Sequence, residues 1–266
     1  MEDTNTIIAE TQLMMQNRTD LVRALNDVGF TQVSQETPLP DIARYMQWAG
    51  GLLDIRLATF SKSTRKHHYW TYDEWMGQSA QTRASYIQMG VVIRAERQEF
   101  IIAKEDVTSD LGTYTMQWAK DNSNDVRGLT NYSGMSTLLT DMDGEANTDL
   151  ILAAIETNGI DYPAARRARA YRCCSLADGG VEGPTTWSLG AVGQGWIMFK
   201  YILEINAALT QFGMATLAND WYWSSTECSS SSAWNVYMDH GNITNHTKAN
   251  AYRARAVARV EPSSAI

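Results

Sequence analysis

The sequence predicts an α+β fold with short antiparallel strands and two or three helices, preceded by a mainly helical N-terminal segment. Three observations predict it. Apolar residues recur at helical spacing over 5–29 and again between 149 and 211. Two apolar runs, 89–94 and 99–104, flank a short polar connection and read as a hairpin. After Gly213 the helical pattern gives way to short aromatic and β-branched stretches set among Ser, Thr and Asn.

The elements follow in chain order. Ile8, Leu13, Met14, Leu21, Leu25 and Val28 lie at helical intervals, with Gly29 as the stop. Residues 32–40 are polar and carry Pro38 and Pro40, so they read as a linker. The apolar region 42–60 ends in a basic cluster, Lys62, Arg65 and Lys66, followed by His67 and His68. That cluster reads as a solvated turn, with a phosphate or partner site as the other reading. Thr71 followed three residues later by Glu74 has capping-box spacing and predicts a helix start. Residues 105–147 are rich in Gly, Asn, Asp and Ser and read as loop. A helix is expected over 149–157, started by Asn147 or Thr148 and stopped at Gly159. A second is expected over 163–176, with Pro163 at its first position and Cys173 and Cys174 as ordinary thiols on it. The chain then breaks at 178–180. A third helix is expected over 196–211, with Phe199, Ile202, Leu203, Ile205 and Leu209 as its apolar residues. Strands are expected over 221–225, 233–238, 241–244 and 253–260, the last with polar/apolar alternation. This divides the chain into an N-terminal helical attachment or oligomerisation segment, 1–67, and a ligand-binding domain, 68–266.

Composition removes several function classes. The chain of 266 residues carries 30 acidic against 22 basic residues, a net charge of −8, and a general nucleic-acid binder needs the opposite sign. No stretch approaches the roughly 20 apolar residues of a membrane span. The start, Met1-Glu-Asp-Thr, is unlike the basic, apolar opening of a signal peptide. Three cysteines are too few for a disulfide scaffold. There is no Gly-x-Ser-x-Gly, phosphate loop or dinucleotide fingerprint, so no catalytic residue is nominated and no enzyme activity or cofactor is expected. Calcium is the one ion with a candidate site: Asp141, Asp143, Asn147 and Asp149 supply oxygens around Gly144. The spacing is not that of an EF-hand loop, and the other reading is a turn feeding a helix N-terminus.

One compositional feature points toward binding. There are 9 Trp but 5 Phe. Trp221, Trp223 and Trp234 fall in a tract, 219–252, crowded with Ser, Thr, Asn and Tyr. Large rings give contact area at low entropic cost, and short polar groups give adaptable hydrogen bonds. Residues 219–260 hold three acids (Asp220, Glu227, Asp239) against four bases (Lys248, Arg253, Arg255, Arg259), so this tract does not share the acidity of the whole chain.

The tract resembles the variable region of proteins diversified by diversity-generating retroelements of gut bacteria and their phages. The matching pieces are Trp221-Tyr-Trp-Ser-Ser-Thr-Glu227, Ala233-Trp234, Gly241, Lys248 and Arg253-x-Arg255-x-Val257. Supporting likeness extends over roughly 70–260, through 141–149, 90–94 and Ile205-Asn-Ala-Ala-Leu209. Trp187-Ser-Leu-Gly departs from the family's Trp-x-Leu-Pro-Ser-like segment. The resemblance implies a C-type-lectin-type fold, related to that of formylglycine-generating enzymes, and a binding role with a variable region at about 219–255. It implies framework roles for Trp221, Trp223, Trp234, Gly241, Lys248, Arg253 and Arg255. It implies display roles for Cys228, Ser230, Ser231, Asn235, Tyr237, Asp239, His240, Asn242, Asn245, His246, Ala251 and Tyr252. Strand alternation is expected to put Asn235, Tyr237 and Asp239 on one face and Val236 and Met238 toward the core. In that family, mutation of adenines in Asn codons never yields Trp, Met, Lys, Glu or Gln. From Cys228 to Tyr252 the residues of that excluded set are Trp234, Met238 and Lys248 alone.

The expected function is that of a hypervariable ligand- or receptor-binding protein, a phage or cell-surface adhesin. Its partner would be a protein or glycan on a host or neighbouring cell, its place the virion or cell surface, with a homo-oligomer formed through the N-terminal segment. Two alternatives stand beside it. The first is a catalytic or non-catalytic relative of formylglycine-generating enzymes; their chemistry depends on reactive cysteines, and Cys228 is alone in this region, so the resemblance does not carry the activity across. A calcium-assisted carbohydrate-binding lectin would need a paired carboxylate and amide motif that the C-terminal loops lack, though Trp rings can stack on sugars.

Overall fold

The computed structural model describes residues 19, 22–23, 34, 53–121, 124–174 and 185–261. Most of the helical stretch expected over 5–29, the linker at 32–40 and the break at 178–180 lie outside the described residues. The chain divides into two compact units, 1–54 with 94–98 and 265–266, and 55–93 with 99–264. In the first, Arg94 Nη1 donates to Asp54 Oδ2 at 3.0 Å, and Glu96 and Arg97 both adopt positive φ. Two consecutive positive φ values are what a two-residue hairpin turn requires.

Among the described residues the architecture is α+β, with two sheets and seven helices. β1 (Asp54–Ser61), β2 (His67–Trp70), β3 (Tyr86–Ala95), β4 (Gln98–Ala103), β11 (Ala256–Ala258) and β6 (Trp187–Leu189) form a six-stranded sheet in the order β2-β1-β3-β4-β11-β6. β5 (Thr115–Gln117), β10 (Ala251–Arg253), β7 (Trp221–Ser229), β8 (Ser232–Tyr237) and β9 (Ile243–Thr247) form a five-stranded sheet in the order β5-β10-β7-β8-β9. β10 runs parallel to β7, and β8 is antiparallel to both its neighbours.

The expected hairpin is β3–β4. The basic cluster is the β1–β2 turn, closed by Ser61 N donating to Lys66 O and Arg65 N to Ser61 O. Thr71 caps α1 (Tyr72–Met76) with both halves of the capping box in place. Ser79 caps α2 (Ala80–Ala84). α3 (Met135–Leu138) is a single turn within the stretch read as loop.

Several elements differ from expectation: the strand expected over 221–225 runs on to Ser229, and the one expected over 241–244 is Ile243–Thr247, with Gly241 in the turn before it. α4 spans Gly144–Asn158, starting five residues before the expected 149, because Asp143 Oδ1 accepts from Ala146 N and caps the helix there. Gly144 is part of the helix for steric reasons: a Cβ would stand 2.6 Å from Leu189 O and 2.8 Å from Ala191 N. α5 is Pro163–Arg169, ending seven residues before the expected 176, so Cys173 and Cys174 lie in a bend beyond it rather than on a helix. The third helix is two, α6 (Val192–Lys200) and α7 (Ile202–Gln211), broken at Tyr201 where φ −114° and ψ 28° leave the helical region. The break sets the phase of α7, so Ile205 and Leu209 are buried while Leu203 stays exposed. The expected strand 253–260 is also two. The chain leaves the five-stranded sheet after Arg253, crosses through Ala254 and Arg255, and enters the six-stranded sheet at Ala256.

The core lies between the sheets and the α4–α5 pair. Met89, Val92, Ile101, Trp118, Ile151, Tyr162, Ala164, Ala168, Trp187 and Trp223 are part of one buried cluster. No described helix is long and apolar enough to cross a membrane.

Candidate ligand-binding face

The five-stranded sheet has two unlike faces. One packs on α6, where Gly195 is small enough that a Cβ would sit 3.0 Å from Val236 Cγ2. Val236 and Met238 are buried on that side, as strand parity predicts. On the other face the register sets Trp221 opposite Tyr237 and Ala233 opposite His246. The rings meet: Trp221 stacks on Tyr237 with centroids 4.7 Å apart and meets His246 edge-on at 5.0 Å. Tyr252 lies 5.1 Å from His246 and 5.0 Å from Trp223. His240 adds a sixth ring, edge-on to Tyr237 at 5.5 Å. Offset-stacked and edge-to-face pairs of this kind each contribute about 0.5–1.5 kcal/mol beyond area burial.

Beneath these rings the sheet is held by buried polar groups. Glu227 and Lys248 are an ion pair with both side chains fully buried. The Lys248 ammonium spends its three protons on Glu227, on Asn124 O at 3.0 Å and on Ser230 O at 2.9 Å. It also lies 4.8 Å from the centroid of the Trp118 ring. The Glu227 carboxylate accepts in addition from Val126 N. Burial pushes the Glu227 carboxyl up; the Lys248 and Val126 bonds pull it back. A buried pair is tolerable when further hydrogen bonds support both charges in this way. Three nearby indole N–H groups donate to backbone carbonyls: Trp223 to Met116, Trp118 to Ser224 and Trp234 to Tyr132.

The crossing between sheets is fastened likewise. Asp106 accepts from Arg253, Arg255 and the Tyr222 hydroxyl. Arg255 further donates to the carbonyls of Ala103, Ala215 and Thr216, and Arg253 to Asp220.

The nominated display residues fall into three groups. Ser231, Asp239, His240, Asn242, Asn245 and Ala251 are exposed. Cys228, Ser230, Tyr237, His246 and Tyr252 are half-buried. Asn235 is a correction: expected beside Tyr237 and Asp239 on the exposed face, it is fully buried. It lies opposite Trp223 on one side and Thr244 on the other, and its amide is 2.7 Å from His246 Nδ1 while its Oδ1 has no partner. Parity put Asn235 on the correct face; neighbouring rings, which parity does not count, cover it.

Of the nominated framework, Trp223, Trp234, Lys248 and Arg255 are buried, and Arg253 is half-buried. Gly241 turns at φ 70°, and a Cβ there would stand 2.1 Å from the Phe199 ring. Trp221 differs, being half-buried and at the centre of the outer rings. Asp106, Trp118 and the role of Glu227 escaped the sequence reading, because their partners are distant in the chain. Of the carboxylates in 219–260, Glu227 pairs with Lys248 and Asp220 with Arg253, and Asp239 lies 2.9 Å from His240 Nε2. Burial lowers the pKa of His246, which favours the neutral ring at neutral pH.

The calcium candidates do not converge. Asp141 accepts from Asn147 Nδ2 and from Thr226 Oγ1 at 2.6 Å, Asp143 caps α4, and Asp149 pairs with Arg169. Among the described residues no group of three or more His, Cys, Asp or Glu is placed to hold a metal ion. Asp141 fastens the start of α4 to the middle of β7, work done by its bonds to Asn147 and Thr226.

No family model and no curated protein matches the chain. Among solved structures, a fimbrial protein from Bacteroides ovatus is similar at 15% identity and a TM-score of 0.42, over 59% of this chain and 35% of that one.

Proposed function

We propose that this chain is a non-catalytic ligand-binding protein, with a C-type-lectin-type domain whose variable face is the ring side of the five-stranded sheet and the turns around it. The observation that supports this most is the division within 221–255. Residues nominated for display, Asn235 apart, reach the surface, while Trp223, Trp234, Lys248 and Arg255 are buried in a frame. A surface that must change without unfolding its carrier needs that division. The ligand would be a protein or glycan at a host or neighbouring cell surface, and the protein an adhesin on a virion or cell surface.

The test is a library in which the exposed and half-buried display positions are randomised together in the full chain and sorted for soluble, protease-resistant members. Retention of folding in most members supports the reading, and loss of folding in most would overturn it. Sequencing beside the coding region gives a second check. A near-copy of the segment for 219–260 that differs at adenines, next to a reverse transcriptase, is the expected finding.

A further inference from the structure

Away from the ring face, a cleft of about 450 Å³ opens between α1, α2 and the start of β3. Lys62, Arg83 and Lys104 line it, together with Trp75, Tyr86 and Cys174. Its volume lies in the range that takes small organic ligands, about 300–1,000 Å³. The three cations come from separate places: the β1–β2 turn, α2 and the end of β4. Lys62 Nζ donates to Ala84 O at 3.0 Å, and Arg83 Nη1 to Met76 O at 3.4 Å. None of the three is in an ion pair with a carboxylate among the described residues. The floor is apolar: Trp75 is buried and meets Tyr86 edge-on at 6.2 Å. Three cations with no ion-pair partner among the described residues, set around an aromatic floor, make a field that favours an anion with a flat apolar body.

We propose that this cleft binds a small planar organic anion, its acidic group among Lys62, Arg83 and Lys104 and its apolar body against Trp75 and Tyr86. The site is independent of the ring face. It absorbs two features the binding face leaves unused, the basic turn after β1 and the adjacent thiols. The thiols also supply a reporter. Cys174 is half-exposed at the cleft, whereas burial, then its neighbour Cys174, pushes the Cys173 thiol up to about 12 and holds it in its unreactive form. Cys228, half-exposed on the five-stranded sheet, is the internal control.

The experiment measures N-ethylmaleimide alkylation of each cysteine in the full chain by peptide mapping, with naphthalene-2-sulfonate as the probe. The sulfonate is expected to slow alkylation of Cys174 and leave that of Cys228 unchanged. The neutral naphthalene-2-sulfonamide, nearly the same shape, should protect far less. Loss of one charge-assisted bond in Lys104→Ala or Arg83→Ala should raise the half-protecting concentration by about tenfold or more. Lys104→Arg should restore it, and circular dichroism confirms that each variant is folded. Absence of protection at Cys174, equal protection by the sulfonamide, or full protection in the folded alanine variants would each overturn the proposal.

Discussion

The central strands of the six-stranded sheet bury Met89, Val91, Val92, Ile93, Ile101 and Ile102, an apolar run covered on both sides. The middle of the five-stranded sheet buries Ser224, Ser225, Thr226, Glu227 and Asn235 alongside Trp223, Trp234 and Val236. Apolar packing is non-directional and tolerates rearrangement when volume is kept. Hydrogen bonds and ion pairs fix distance and angle, and they fail when one partner is lost. The first sheet therefore supplies bulk stability, and the second supplies placement of the turns it carries.

The sharpest test of this contrast is Lys248→Ala. It leaves the Glu227 carboxylate buried without its counter-charge and should cost about 3–5 kcal/mol in urea denaturation. A loss below about 1 kcal/mol, the scale of an exposed pair, would break the contrast between the sheets.

Asn235→Ala removes a buried amide and its bond to His246, and about 1–3 kcal/mol is expected in the same measurement. Neutrality there would return Asn235 to the tolerant surface. Ser231→Ala, Asn242→Ala and Asn245→Ala should each lie within about 0.5 kcal/mol of the parent. A larger loss at any of them would move that position into the frame.

The smallest effect is one of pH. The folded pKa of His246 lies below its unfolded value because burial disfavours the charged ring. Between those two values the unfolded chain binds more protons than the folded one, so stability falls as pH drops below about 6.5. His68 is shifted in the same direction and contributes the same sign. Melting temperatures between pH 8 and 5 should show the decline, and His246→Gln should flatten it in part. An unchanged profile in that variant would remove His246 from the account.

Legibility in the sequence followed the range of the interaction. The Thr71 cap, the β3–β4 hairpin and the stop at Gly159 are local and were readable. The start of α4 is not fixed by residue type, because Asp143 reads as a metal ligand or as an acid at a helix N-terminus, and its bond three residues on, to Ala146 N, decides between them. The switch between sheets at Ala254 and Arg255 was invisible because the alternation of 253–260 runs through it, and the partner Asp106 lies 149 residues from Arg255. On the binding face, Lys248 carried a readable signal as one of the residues that adenine mutation cannot reach. Its partner Glu227 is 21 residues away and sits within a matching motif, yet no spacing rule joins the two. Trp221 reads as frame by residue type, and its half-exposed place among the rings depends on Tyr237 and His246, neighbours that the sequence does not disclose.

Lys248 has one more consequence. Its ammonium holds the turn between β7 and β8 through the carbonyl of Ser230, and its own N–H holds the carbonyl of Ser231. Every amino acid carries that carbonyl. The clasp is therefore blind to the side chains at both positions, and exchanging either one leaves the acceptor in place. Arg255 and the Trp223 and Trp234 indoles grip main chain in the same manner. Changes at positions held only through main chain then combine with little mutual interference, while Tyr237, His246 and Tyr252, which share Trp221, are expected to couple. At the Ser230–Ser231 turn such a surface can be rebuilt one position at a time, because the clasp there never reads the letters being changed, whereas Tyr237, His246 and Tyr252 meet the Trp221 and Trp223 rings through their side chains.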